Sequence, residues 1–298
     1  MLTELNRILG LAQKLGAEYA DARYVSITQE PVSVSTDGAP QISVSKSTGL
    51  GLRVLVDGAW GFSATPYLDP RSLEKTADEA VKIAYASALC KKGDGVSLAP
   101  MEPKRARWQT PCKVDPFSLK PEEKVKILID VVESAKKVPG VFRATASIMS
   151  YREDKEFMST DGRQIEQTII HSGGSVSVMA RGDGDVQSRS FADYAGGGFE
   201  FVESLDLKSK AETLADEAVK LLKAPVCPTG VTDMVMGGSM VALQIHESCG
   251  HPIELDRVVG QEATFAGTSF LTPEKKGSFR YGSPSVNIVA DATSPGGL

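Results

Sequence analysis

Gly49-Leu50-Gly51-Leu52-Arg53-Val54-Leu55-Val56-Asp57-Gly58-Ala59-Trp60-Gly61-Phe62 is the stretch from which the class of fold follows. Apolar residues alternate there with small or polar ones, and the dipeptide Asp57-Gly58 interrupts the run. A period of two is typical of a strand with one buried face, and Asp-Gly between two such runs favours a tight hairpin. The pattern extends over residues 19–64 and returns from 142 to about 191. The sequence therefore predicts two meanders of antiparallel strands.

Helical periodicity lies on both sides of each meander. Helices are predicted over residues 2–15, 70–89, 121–137 and 207–222. The order helix, meander, helix thus occurs twice, over about 1–90 and 120–222, and Ser35-Thr36-Asp37-Gly38 recurs as Ser159-Thr160-Asp161-Gly162. An internal duplication would explain these matches, but turn chemistry and helix propensity could also produce them independently. Strand runs with helices at their ends favour an α+β fold over a doubly wound parallel sheet.

Two stretches of irregular composition separate the predicted elements. Residues 91–119 are rich in Pro, Gly and Lys and are expected to form a long connecting loop on the surface. Pro225 and Pro228 mark a domain boundary. We therefore predict an N-terminal α+β domain over 1–225, in which helices flank an antiparallel sheet. Residues 226–298 are predicted to begin a β-rich catalytic domain, which is incomplete and opens with a short strand at 232–236.

Composition and charge argue against several classes of protein. Hydrophobic residues make up 41% and charged residues 24%, and the net charge of -5 argues against direct binding to nucleic acid. The sequence has neither a membrane-spanning apolar run nor a signal peptide at its N-terminus. The four cysteines are widely spaced and form no C-x-x-C pair, which is typical of a reducing compartment. We expect a soluble cytoplasmic protein that contacts neither membranes nor nucleic acid directly.

The residues that carry chemistry lie in His246-Glu247-Ser248-Cys249-Gly250-His251, which contains two of the three histidines. Two neutral imidazoles suit Zn²⁺, and an adjacent glutamate can act as general base toward a metal-activated water. The helix predicted over 240–247 is almost wholly apolar and should be buried, so Glu247 needs a charged or metal partner. Glu254 and Asp256 could support a ligand histidine or form a solvated turn. A packed histidine pair without metal is the alternative.

The spacing of these histidines requires a departure from a regular α-helix. Five steps of about 100° place two side chains roughly 140° apart, whereas the usual spacing of four places them on one face. A π-type turn would absorb the extra residue. Alternatively, Gly250 and Pro252 end the helix, and His251 lies past that end and folds back. The backbone torsions of Gly250 and His251 distinguish the two alternatives.

Two motifs resemble the TldD/PmbA family. One is His246-Glu247-x-x-Gly250-His251-x-x-Glu254-x-Asp256, followed by Gly260 and Phe265-Ala266-Gly267, and the other is the stretch 49–62. The resemblance implies a cytoplasmic zinc metalloprotease that cleaves unfolded or short peptides. It maps His246 and His251 to zinc ligands and Glu247 to the general base. It also implies a TldD-like catalytic subunit that forms a homodimer or a heterodimer with a PmbA/TldE-like subunit.

One feature departs from the family pattern. The third zinc ligand of the family is a cysteine near the C-terminus of a longer chain, and Cys249, between the histidines, does not match it. The resemblance therefore implies that the 298 residues are a fragment that binds zinc weakly and is inactive alone. The alternatives are a partner-binding protein of the gyrase-modulator type and a structural metal site without turnover. His171 lies in a predicted Ser/Gly turn and is given no role.

Overall fold

The computed structural model describes residues 1–182, 184–291 and 293. The described chain forms two compact units, one comprising residues 1–224 and a second that begins at Pro225. The first unit combines helices with a largely antiparallel sheet, so the prediction of an α+β fold is confirmed. None of the helices in the described ranges combines the length and the apolar character that crossing a membrane requires.

The first unit contains the two predicted meanders and the four predicted long helices. Its elements are α1 (Leu2–Lys14), β1 (Tyr19–Ser35), β2 (Gln41–Ile42), β3 (Ser45–Val56), β4 (Ala59–Thr65), α2 (Pro70–Cys90), β5 (Arg105–Gln109), α3 (Pro121–Lys136), β6 (Val141–Ser159), β7 (Gln164–Gly182), β8 (Asp185–Gly196), α4 (Phe199–Ser204) and α5 (Leu207–Leu221). Asp69 caps α2 by accepting the N–H of Ser72, as expected for an aspartate before a helix that begins with proline.

The eight strands form one sheet in the order β4-β3-β1-β6-β7-β5, with β2 paired to β1 and β8 paired to β7. β1 and β6, one from each meander, pair antiparallel from Asp21 to Ser35 and so join the meanders. β7 pairs with β5 in parallel near its start and with β8 antiparallel over its remaining length. All other pairings are antiparallel.

The core lies on one face of this sheet. Ala20, Ala22, Val32 and Val34 of β1 are buried, and their even numbering places them on a common face because side chains alternate along a strand. α1 and α2 supply the helical side of an apolar cluster over the β1–β3 part of the sheet. A second apolar cluster lies over β6 and β7, and its helical side comes from α3, α4 and α5. Each half of the unit thus buries its own apolar surface against the shared sheet.

Two predictions are wrong in this unit. The connecting loop predicted over 91–119 contains β5, a five-residue strand that pairs in parallel with β7. Its alternation is hidden because most of its side chains are exposed. His171 lies within β7 rather than in a turn, stacked on Tyr151 at 5.4 Å between ring centroids. The neighbouring Gly173 is required there, since a Cβ would lie 2.2 Å from the ring of Tyr194.

The second unit has a different character. Its described residues form α6 (Gly238–Ile245), a π turn (His246–Gly250), α7 (Leu255–Val258) and two short 3₁₀ turns, without any strand. The strand predicted over 232–236 is therefore wrong. Val235 there is fully exposed and has no neighbouring strand to satisfy its backbone groups. The β-rich character expected for 226–298 is not seen in the part that the structure describes.

Candidate metal centre

The two histidines of the motif lie at the two ends of the π turn. α6 ends at Ile245, and the N–H of His251 donates to the carbonyl of His246. This bond joins residues five apart, as the α-helical bond joins residues four apart, so it places one residue above the other. The imidazole centroids lie 4.4 Å from each other, with 67° between the ring planes. The turn thus brings together two side chains that a regular α-helix would separate.

The backbone torsions decide between the two alternatives for His251. Gly250 has φ -58° and ψ -59°, and His251 has φ -63° and ψ -42°, so both are right-handed helical. The π-turn alternative is confirmed, and the alternative in which His251 lies past the helix end is wrong. Pro252 does not force His251 out of the helical region. It occupies the first turn of a 3₁₀ helix, where its missing N–H is not needed.

Glu247 completes a group of three possible metal ligands. One nitrogen or oxygen from each of His246, Glu247 and His251 lies within 4.8 Å of the other two. Nε2 of the His246 imidazole lies 3.8 Å from Oε1 of the Glu247 carboxylate. Both of these side chains are about 60% exposed, and that of His251 is 30% exposed. Imidazole nitrogens and a carboxylate are ordinary zinc ligands, so this group fits a zinc ion that is open to solvent.

Glu254 holds the ring of His251. Its Oε1 lies 2.8 Å from Nδ1 of His251, and its Oε2 lies 3.0 Å from Nη2 of Arg257. With Nδ1 engaged, Nε2 of His251 is left for a metal, which is how carboxylates orient metal-binding histidines in other proteins. Asp256, the other carboxylate that the sequence suggested, instead accepts the backbone N–H of Arg257 at 2.8 Å.

The motif does not single out Arg257, although its position three residues after Glu254 is a usual spacing for an ion pair. Arg257 lines a pocket of about 120 Å³ beside the donor group, together with Glu247, His251, Pro252, Thr268, Ser269 and Phe270. The hydroxyl of Ser269 donates to the carbonyl of Pro252 at 2.7 Å and so fixes the far wall. The pocket has room for roughly four water molecules, or for one peptide group of a bound chain.

Cys249 lies outside the donor group. With Ile253, Leu271 and Phe279 it lines a separate, mainly apolar cavity of about 550 Å³. Its hydrogen bond with Tyr281 raises the pKa of that phenol, and the Tyr281 hydroxyl donates to the carbonyl of Ser248. Cys249 is therefore hydrogen-bonded to Tyr281 and is not part of the group of possible metal ligands.

The predicted burial of the helix over 240–247 is wrong. Met240 is 56% exposed and Leu243 is 53% exposed. Apolar composition shows that a helix can be buried, but burial also needs a second layer, and the described part of the second unit supplies none over α6. The exposed Glu247 consequently needs no partner to offset burial, and its relevance to a metal depends on geometry alone.

The structure is thus of the α+β class and carries a group of two histidines and one glutamate that could hold a metal ion. Two family models match the chain: PmbA/TldA metallopeptidase domain 1 over residues 20–84 and the PmbA/TldA metallopeptidase central domain over residues 114–224. Together they cover more than half of the sequence. The chain belongs to the PmbA/TldD family of metallopeptidases.

Individual relatives agree with this membership. A metalloprotease of Methanothermobacter thermautotrophicus is 26% identical over 279 residues, which cover 94% of this chain and 58% of the relative. A zinc metalloprotease TldD homolog of Saccharolobus solfataricus is 26% identical over 255 residues, which cover 82% of this chain and 52% of the relative. The chain thus spans a little over half the length of these two proteins.

A solved structure shares the fold. It is that of a Thermotoga maritima protein named as a candidate modulator of a DNA gyrase, and it superposes with a TM-score of 0.60 at 20% sequence identity. The superposition covers 77% of this chain and 50% of the other. At this level of identity the likeness supports the architecture and not a shared activity.

Proposed function

We propose that this chain binds Zn²⁺ through His246 and His251 and serves a peptidase that cleaves unfolded or short peptides, with Glu247 as general base. The observation that carries the proposal is the π turn, because it brings two imidazoles spaced five residues apart to a centroid distance of 4.4 Å. Family membership and the names of the relatives support a peptidase. The substrate class rests on the family resemblance.

The side chains around the proposed ion have separable tasks. Bound zinc supplies a Lewis acid that activates water and polarises a carbonyl. The Glu247 carboxylate, which lies within the donor group, accepts a proton at Oε1 or Oε2 and returns it to the leaving amine. Glu254 keeps the Nε2 of His251 directed at the ion, and the pocket beside Arg257 receives the backbone of the peptide.

Zinc content and peptide cleavage, measured on the same variants, test this proposal. His246→Ala and His251→Ala should abolish the binding of one zinc per chain. Glu247→Gln should keep most of the zinc and, in a chain extended to the length of its relatives, should lose cleavage of an unstructured fluorogenic peptide. His171→Ala is the matched control, because it removes the one histidine that lies in the sheet. Zinc retained after loss of both motif histidines, or cleavage undiminished in the Gln variant, would contradict the proposal.

A second candidate is a zinc-dependent partner-binding protein without turnover. The composition of the donor group favours this second candidate. The described residues supply two imidazoles and one carboxylate to it, but no thiolate. The candidate predicts zinc binding without cleavage. It also predicts that capture of a partner such as gyrase is the same in the wild type and in His246→Ala.

We also propose that the protein is cytoplasmic and works as a dimer, with a second copy or with a PmbA/TldE-like subunit. All four cysteines are free, which favours a reducing compartment. The dimer follows from the family resemblance. Equilibrium sedimentation of the purified chain, alone and mixed with such a subunit, measures it.

A further inference from the structure

β8 presents a long edge of the sheet. Its twelve residues pair with β7 in continuous register from His171–Gly196 to Gly182–Asp185, with no bulge. Among the described residues no strand pairs along its other side, and most of its side chains are exposed. Proteins usually protect such an edge with lysine, proline, a bulge or a covering element. The sequence Asp-Val-Gln-Ser-Arg-Ser-Phe-Ala-Asp-Tyr-Ala-Gly contains neither lysine nor proline.

The register identifies the backbone groups that face outward. Gly197, which follows β8, donates its N–H to the carbonyl of Ile170 on β7. Because hydrogen-bonded and non-bonded positions alternate in an antiparallel pair, the odd-numbered residues of β8 bond to β7. The N–H and C=O groups of Val186, Ser188, Ser190, Ala192 and Tyr194 therefore point away from the sheet. The N–H groups of Val186 and Tyr194 already donate to Oδ1 of Asp185 and Asp193, at 2.8 and 2.9 Å. The outward N–H groups of Ser188, Ser190 and Ala192, between these two, can accept another strand.

We propose that β8 pairs antiparallel with β8 of a second copy of this chain, about a two-fold axis at Phe191. The proposal deepens the suggested dimer and does not depend on the metal centre. Pairing in this register joins two eight-stranded sheets into one through about six backbone hydrogen bonds, donated by Ser188, Ser190 and Ala192 of each copy. It also makes the interface isologous, as closed dimers require.

Charge selects this register. With the axis at Phe191, Arg189 lies opposite Asp193 of the second copy, and the pair occurs twice. An axis at Arg189 would instead place Arg189 opposite itself and Asp185 opposite Asp193, which brings like charges together. An axis at Ser190 would leave Arg189 opposite Phe191. Opposite charges facing each other across a strand pair stabilise it, and like charges destabilise it.

Contacts within the chain position the side chains of both Arg189 and Asp193. Nε of Arg189 donates to Oε2 of Glu217 on α5 at 2.8 Å, which orients the guanidinium while its other N–H groups stay available. Asp193 is exposed, and its Oδ1 accepts the N–H of Tyr194 at 2.9 Å. Both side chains lie on the helix-covered face of the sheet, on which Phe191 packs against the second apolar cluster. The proposed interface thus continues an existing core.

Blocking the outward N–H groups tests the proposal directly. The wild-type chain should sediment as a dimer at micromolar concentrations. Ala192→Pro removes one outward N–H without touching the ladder to β7, and edge strands tolerate such a proline. We expect this variant to be a monomer with an unchanged circular dichroism spectrum. The matched control, Ala192→Val, keeps the N–H and should remain a dimer.

A charge exchange tests the register. Asp193→Arg alone should weaken the dimer by about tenfold or more in dissociation constant, because it makes both facing pairs repulsive. Arg189→Asp, combined with Glu217→Gln to avoid repulsion within the chain, should do the same. A mixture of the two variants restores opposite charges at both pairs and should form a heterodimer.

Three results would overturn the interface: a monomeric wild type, a dimer that survives Ala192→Pro, or a mixture that stays monomeric. Zinc content measured on the same samples separates this inference from the proposed function. Ala192→Pro should keep its zinc, since β8 and the donor group belong to different units. Loss of zinc binding with an intact dimer would instead count against the metal centre alone.

Discussion

The contact between Glu254 and His251 is the residue-scale feature on which the orientation of a ligand histidine depends. Glu254→Gln keeps the shape of the side chain but removes the charge that holds Nδ1 of His251. Losing such a carboxylate usually costs about 10–100-fold in metal affinity, so we expect a weakening of that size. Competition with a chromophoric chelator measures it. Asp256→Asn is the control, because Asp256 bonds to the backbone of Arg257 and should leave the affinity nearly unchanged.

His171 gives the sheet unit a pH dependence. Burial beside Tyr151 lowers the pKa of His171 below its usual 6.5, and Glu153 opposes this only in part. The unfolded chain therefore takes up this proton at a higher pH than the folded chain does. The free energy of unfolding therefore decreases as the pH falls below about 6.5, which is the pKa of this histidine in the unfolded chain. The decrease ends once the pH is below the lower pKa that His171 has in the folded chain. His171→Gln should make the urea midpoint less steep in pH across that window, and an unchanged slope would contradict the assignment.

At the residue scale the sequence predicts which side chains meet, but not how they are surrounded. The motif is sufficient to name His246, Glu247 and His251, whose possible ligand atoms lie within 4.8 Å of one another, and Glu254, which contacts Nδ1 of His251. Their catalytic and metal-binding roles stay predictions. Sequence does not show that the centre is exposed, since exposure depends on a second layer that no local pattern encodes. Arg257 could have been found from its spacing to Glu254 alone.

At the scale of elements, a buried ion pair fixes α3 on the sheet. Nζ of Lys124 lies 2.5 Å from Oε1 of Glu30 on β1 and 2.9 Å from Oγ of Ser150 on β6, and the lysine side chain is fully buried. Lys124→Met leaves the Glu30 carboxylate buried without a partner, which should cost about 3–5 kcal/mol of unfolding free energy. Urea unfolding measures the loss.

The double variant Lys124→Met/Glu30→Met distinguishes an uncompensated charge from lost packing. Replacing both charges with apolar groups of similar size is often neutral, so the double variant should recover most of the stability that the single one loses. If the two substitutions were simply additive, the ion pair would not be what joins α3 to β1. The coupling free energy of this double-mutant cycle, measured by urea unfolding, distinguishes the two outcomes.

The contact of α2 with β4 depends on a glycine in the strand. A Cβ at Gly61 would lie 2.0 Å from the carbonyl oxygen of Ala80 and 2.5 Å from the nitrogen of Ala84. Gly61→Ala should therefore push the helix outward and cost about 1–3 kcal/mol, as overpacking usually does. Gly49→Ala on β3 is the matched control, because its nearest neighbour would lie 3.9 Å away. Equal urea midpoints for the two variants would show that α2 can shift away from β4 without a measurable loss of stability.

Periodicity predicts long elements well and short ones poorly. The four long helices and the meanders follow from their patterns because each buries a continuous face. β5 is missed because its pairing with β7 is non-local and its side chains are largely exposed. The six residues of α4 are too few to establish a helical period. The π turn is found only because the histidine spacing demands one.

At the scale of the whole molecule, the two halves of the first unit repeat one plan around a shared sheet. In the first half α1 and α2 cover β1 and β3, and in the second α3 and α5 cover β6 and β7. β1 and β6 lie side by side at the centre, antiparallel, as two copies of one element would in a duplicated fold. This arrangement is consistent with the predicted internal duplication, which stays a proposal.

Stability should be divided unequally between the two units. Every buried apolar residue of the described chain lies between Leu5 and Ala218, so the apolar surface that drives folding belongs to the first unit. A chain ended after Ala224 should therefore keep the urea midpoint and the m-value of the whole, because m scales with the surface exposed on unfolding. Native-state hydrogen exchange should find strongly protected amides only within 1–224.

Added zinc should change hydrogen exchange at the metal centre alone. If His246 and His251 bind one ion, added zinc should slow exchange in the π turn and the residues up to Val258, because binding stabilises only the state that holds the ligands together. It should leave the sheet unit unchanged. A lower urea midpoint after truncation at Ala224, or amides beyond Pro225 as protected as the sheet without zinc, would show instead that the two units fold as one.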